Sequence, residues 1–276
     1  MSLVVDASNV AVLTADPPCY ARTVNSWVCP EYVSRYAPEL WEATVQHVLL
    51  TVTSVVLGLV LAIALSLAAR NRPRARSLLL GSTTLVYTIP SLAMFSILAQ
   101  ATGLTPTTVV IGLALYSLSI LVRNVLAGLD SVPDEVVEAA TGLGYGRLRL
   151  LTRIEAPLAL PVVMAGLRVA TVSTVALVTL GTIVAYGGLG NMLANGIDDS
   201  FKAQVLTTSV LCVVLAVLLD LLIVAFARLV TLASILIEAG RANERLPIDD
   251  VCERLQITSL QPSSASTCAQ ARPNPL

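Results

Sequence analysis

Residues Glu138–Pro157, EAATGLGYGRLRLLTRIEAP, form a polar, arginine-bearing stretch between long apolar segments. Ahead of it, Ser131 is placed to cap a short helix, with Pro133 in the first turn and Asp134 reaching back as in a capping box. Asp134, Glu135 and Glu138 put negative charge near that N-terminus, where the helix dipole favours it. Gly142 and Gly144 break the helix, and Gly144 takes a positive φ at no steric cost. A second short helix is predicted from about Gly146 to Glu155, carrying Arg147, Arg149 and Arg153, with Pro157 stopping it. A helix, glycine turn and helix of this polarity cannot enter a bilayer. It reads as a docking knuckle on one membrane face.

The flanking segments set the class. The chain has 276 residues, 55% hydrophobic and 13% charged, with a mean hydropathy of +0.80, which excludes an ordinary soluble domain. The net charge of -1 carries no argument for nucleic acid, and no such partner is expected. Five spans approach the ~20 apolar residues a bilayer demands: about Val45 to Ala69, Ser77 to Ala101 interrupted by Pro90, Thr107 to Leu126, Pro161 to Tyr186, and Gln204 to Thr231. All are expected to be helices, because lipid satisfies no backbone hydrogen bond. The fold expected is an all-α integral membrane protein of about five transmembrane helices.

Arginine placement orients the chain. Arg70, Arg72, Arg74 and Arg76 lie between the first two spans; Arg123, Arg147, Arg149 and Arg153 flank the third and fourth; Arg228, Arg241 and Arg245 follow the fifth. The loops after spans two and four hold only Lys202. Positive residues mark the cytoplasmic side, so the N-terminus is expected outside, and the C-terminus and the knuckle inside. The organisation read from this is an extracytoplasmic segment over residues 1–44, a membrane domain over 45–237 containing the 127–160 loop, and a cytoplasmic, largely disordered tail over 238–276. Residues 1–15 lack the pattern of a cleaved secretory signal. Trp27, Tyr32, Tyr36 and Trp41 suggest an approach to the membrane at headgroup level. Cys19 and Cys29 either form a disulfide or remain thiols, whereas Cys252 and Cys268 are expected inside and reduced. The lone His47 reads as structural rather than metal-binding.

At the knuckle the sequence resembles the permease subunits of ABC importers. Their cytoplasmic loop carries Glu-Ala-Ala, three residues, Gly, nine residues, then Ile-x-Leu-Pro. Glu138, Ala139, Ala140, Gly144, Ile154 and Pro157 fall in that register, and Ala156 stands where the family prefers Leu. Tyr87-Thr88-Ile89-Pro90-Ser91-Leu92-Ala93, Arg123-Asn124 with Ala127-Gly128-Leu129, and Gly187-Gly188-Leu189-Gly190 resemble the osmoprotectant branch. The likeness runs from roughly Leu40 to Glu238. Gly187 to Gly190 also reads as a plain tight turn.

The resemblance implies a subunit that moves glycine betaine, choline, carnitine or similar quaternary ammonium compounds, in a bacterial plasma membrane. It implies an ABC ATPase that binds the ATP, a second permease (identical or paralogous) and an extracytoplasmic binding protein, with lipid around the spans. No catalytic site, cofactor or metal is expected in this chain, which has no P-loop motif. Tyr87, Pro90, Ser91, Asn124, Thr171 and Thr174 are the candidate passage residues, although the threonines equally bond across helices. An amino acid is the alternative cargo. An ion-coupled secondary transporter would need intramembrane ionisable groups, and Asp220 is the acid read deep in a span. Arg123, at similar depth, is its expected partner.

Overall fold

The computed structural model describes residues 18–21 and 23–245, with side chains to residue 229. The expectations for an uncleaved start and for Cys252 and Cys268 lie outside the described residues, as does the expected disordered tail beyond Arg245; residues 238–245 continue the last helix. The chain forms two units, Met1–Val224 and Ala225–Leu276; within the described residues the second is the C-terminal part of the last helix.

A short helix, α1 (Pro30–Arg35), starts on a proline, whose missing N–H costs nothing in a first turn. It leads into α2 (Ala37–Ala69), whose 33 residues reach ~50 Å, well beyond a ~30 Å hydrocarbon core. The first span therefore starts earlier than its apolar run, at Ala37 rather than Val45. Next comes α3 (Pro73–Thr88), which ends where Pro90 withdraws an N–H and holds Ile89 extended, at φ -66° and ψ 127°. The chain resumes as α4 (Ser91–Thr102), turned 97° from α3. The second predicted span is thus a broken pair. The third is α5 (Pro106–Asp130).

The loop holds α6 (Asp134–Gly142) and α7 (Arg147–Leu150). A π-helical turn, Leu151–Glu155, joins α7 directly to α8 (Ala156–Val178), and a 3₁₀ segment, Thr179–Val184, completes that rod. After a glycine corner come α9 (Leu189–Asp198) and α10 (Lys202–Arg245). Ala37–Ala69, Pro106–Asp130, Arg147–Val184 and Lys202–Leu229 are long and apolar enough to cross a membrane, and the broken pair makes up to five.

Two local expectations are corrected. Ser131 does not cap α6: its hydroxyl donates to the Gly128 carbonyl at 2.7 Å, closing the end of α5, and Pro133 occupies the N-cap of α6 with no side-chain cap. Pro157 does not stop the second loop helix. A proline ring clashes with the carbonyl four residues back, here that of Arg153; the π-turn widens the backbone there and lets the helix run on.

Helix α5 is the centre. Leu118, Leu121, Val122, Val125 and Leu126 cluster with Ala62 of α2 and Ala170 of α8, while Val109 and Leu113 pack with Leu50, Phe95, Val178 and Val184. Lipid is as apolar as leucine, so close contact rather than water exclusion holds such helices together. Gly166 supplies it on α8: a Cβ there would collide with Asn124 of α5.

Candidate functional site

The loop turns where the sequence places it. The Tyr145 amide donates to the Ala140 carbonyl at 3.1 Å and the Gly144 amide to that of Thr141 at 2.9 Å, with Gly144 at φ +82°. This pair of bonds around a left-handed glycine is a Schellman ending. It throws outward Leu143 and Leu148, which are 80% and 74% exposed, together with Glu138, Arg147, Arg149 and Arg153. Ala140 is buried beneath, Ala139 is exposed, Ile154 is half-buried and Pro157 is exposed. Exposed leucines beside paired signs of charge are chemistry for a protein partner.

Long-range contacts tie this loop to the spans. The carboxylate of Glu155 is buried and takes both guanidinium arms of Arg70, at 2.6 and 2.7 Å. Arg76 makes a second two-armed pair with Asp130. The Arg70–Arg76 connection and the knuckle therefore lie at the same end of the bundle. Between them opens a cleft of about 1090 Å³, lined by Arg70, Arg72, Thr141, Tyr145 and Arg147.

The passage candidates separate into two groups. Tyr87, Pro90 and Ser91 sit at the bend, where Tyr87 is 49% exposed and meets Tyr116 edge-on with ring centres 5.8 Å apart. Tyr116 donates its hydroxyl to the carbonyl of Ile89, which holds the break open. Asn124, Thr171 and Thr174 lie instead on α5 and α8. Their polar groups donate to Ile120, Leu167 and Ala170 carbonyls of their own helices, at 2.8, 2.8 and 2.7 Å.

The expected Arg123–Asp220 pair does not form. Arg123 donates to the Thr84 hydroxyl at 2.7 Å. Asp220 accepts from both Nε and an Nη of Arg168, at 2.7 and 2.8 Å. Arg168, inside the fourth predicted span, takes the place expected of Arg123.

At the opposite end, Cys19 and Cys29 form a disulfide with Cα atoms 5.7 Å apart. The Asn25 amide donates to the Ser200 carbonyl at 2.9 Å, and its oxygen accepts from the Lys202 amide at 3.0 Å, which pins this cap to the start of α10. Tyr32 is not exposed as expected but fully buried against Tyr36 and Phe201, whereas Trp27 and Trp41 are exposed. The His47 ring lies 3.0 Å from the Val175 carbonyl, joining α2 to α8. Gly187 to Gly190 make a tight corner in which Asn191 accepts from the Gly187 amide and donates to the Ala185 carbonyl.

Comparison with known proteins supplies the context for this geometry. Residues 54–232 match the family described as binding-protein-dependent transport system inner membrane component. The chain is 31% identical over 191 residues to the glycine betaine/carnitine/choline transport system permease protein OpuCD of Bacillus subtilis, covering 69% of this chain and 83% of that one. It is 32% identical over 199 residues to the osmoprotectant import permease protein OsmW of Salmonella typhimurium, covering 70% and 92%. Among solved structures it is similar to the inward-facing MetNI methionine ABC transporter, with a TM-score of 0.57 over 75% of this chain and 99% of that chain; at 18% identity the likeness is one of fold.

Proposed function

Because the chain belongs to the inner membrane components of binding-protein-dependent transport systems, we propose that it is the permease subunit of an ABC importer for quaternary ammonium osmoprotectants such as glycine betaine, choline and carnitine. The observation that carries this reading is the run of curated relatives, named for these solutes, aligned across most of their own length. The chain is a multi-pass membrane protein, and in this reading it sits in a bacterial plasma membrane with its N-terminus outside. The disulfide supports that orientation, since such bonds persist in oxidising compartments. So does the gathering of Arg70 to Arg76 and the knuckle at the other end.

In this reading Glu138, Ala139, Gly144, Ile154 and Pro157 contribute to the surface on which a separate ATPase docks, with Ala140 buried beneath it, and that ATPase binds the ATP. A separate binding protein delivers solute, and a second permease completes the passage. The Arg168–Asp220 pair supports a neighbour or a wet passage there: its side chains are 46% and 26% exposed within spans, and charge at that depth is costly against lipid. The bend at Pro90, with Tyr87 beside it, is the preferred passage site, because aromatic faces attract a quaternary nitrogen.

The test is uptake of labelled betaine, choline and carnitine by cells with and without the complete transporter, at low and high salt. Transporter-dependent uptake of at least one of them, raised by salt, is expected. Equal uptake of all three in both strains would remove the osmoprotectant assignment.

A further inference from the structure

A second cleft, of about 680 Å³, opens at the disulfide end between the first turns of α2 and helix α9. This is the size range of small-molecule sites. Tyr32, Tyr36, Glu39 and Glu42 line one side, with Asn191 and Asn195 opposite, and among the described residues no lysine or arginine contributes to the lining. Glu39 and Glu42 are exposed, and among the described residues neither takes part in an ion pair. The rings of Tyr32 and Tyr36 lie 4.8 Å apart at 33°. The Tyr32 hydroxyl is buried and has no hydrogen-bond partner among the described residues. Burial, reinforced by Tyr36 and Glu39, pushes its pKa up to about 12, so it stays a neutral donor.

We propose that this outer cleft binds small organic cations of the trimethylammonium class, and that Glu39 and Glu42 make it favour a net cation over a zwitterion. A quaternary nitrogen offers no hydrogen, so it is held by aromatic faces and by opposite charge rather than by acceptors in a fixed geometry. Tyr36 supplies the face and the two carboxylates the charge. The same carboxylates repel the carboxylate of a betaine, so choline gains where betaine does not. That the bound cation is cargo rests on the function proposed above; that the cleft binds one does not.

The experiment uses the complete permease–ATPase assembly in phosphatidylglycerol discs, without binding protein, and measures equilibrium binding of labelled choline and labelled betaine. Saturable choline binding displaced by tetramethylammonium is expected, with betaine weaker. The Glu39→Gln/Glu42→Gln variant should weaken choline about tenfold and betaine little, while Glu42→Asp retains most of the binding. Absence of saturable choline binding, or binding unchanged in the double variant, overturns the site and leaves the importer standing. Loss of choline binding in discs containing phosphatidylcholine would assign the cleft to a lipid headgroup and overturn it as well. Choline binding that depends on Glu39 and Glu42 in an assembly that imports none of the three solutes would uphold the site and remove the cargo reading.

Discussion

At Gly144 a single backbone angle decides what side chain the loop accepts. Its φ of +82° lies in the left-handed region, yet a Cβ there would meet nothing within 4 Å. A substitution is therefore penalised by conformation, by about 1–3 kcal/mol, rather than by collision inside this chain. The spans do not feel that change. Gly144→Asp should reach the membrane at normal levels, with ATPase association weakened and transport reduced to a small fraction; wild-type uptake at matched expression would show that the loop does not couple. Asp220 makes the opposite kind of case, a side chain whose place depends on one partner. Asp220→Asn and Arg168→Gln should each lower folded yield, because each strands a charge within a span. The double variant should recover part of the loss, while Arg123→Gln combined with Asp220→Asn should be additive. Additive losses for the Arg168 combination would remove the pair.

Among the elements, the rod from Arg147 to Val184 is continuous, and in the proposed function it would turn a docking surface into a lever. A push on the knuckle passes along α7, through the π-turn and into α8 without crossing a loop, and the Arg70–Glu155 pair fixes that turn to the end of α2. Arg70→Met leaves the Glu155 carboxylate stranded, at a cost of roughly 3 kcal/mol or less, with Arg70 keeping 28% of its side chain exposed. The expected result is an assembly that still binds its ATPase and hydrolyses ATP while uptake falls severalfold; ATP turnover and uptake falling in proportion would make the contact merely structural. Little of this lever was legible in the sequence. The spans were, because a bilayer demands length and apolarity, and so were the Pro90 break and the Gly144 turn, because those residues act through their own backbone. Pro157 misled because a π-turn removes the clash that normally makes proline a stop. Arg70 with Glu155, and Arg76 with Asp130, are 85 and 54 residues apart, and no local pattern signals such partners.

On the scale of the whole molecule, the two ends differ in chemistry. One carries a disulfide, a buried tyrosine and carboxylates that make no ion pair among the described residues; the other carries arginines, ion pairs and exposed leucines. A thiol pair survives as a disulfide only away from the reducing cytosol, and arginines between spans collect on the cytoplasmic side. The two arguments are independent and both support the proposed orientation. Cysteine labelling in intact cells tests both. With Cys212, Cys252 and Cys268 replaced by serine, Cys19 and Cys29 should react with an impermeant thiol reagent only after external reduction. A cysteine at Thr105 should react without reduction, since Thr105 precedes α5 at the disulfide end. One at Ala75, beside Arg76, should stay silent until the membrane is permeabilised. Labelling at Ala75 in intact cells, with Thr105 silent, would invert the topology and place the knuckle out of reach of any cytoplasmic ATPase.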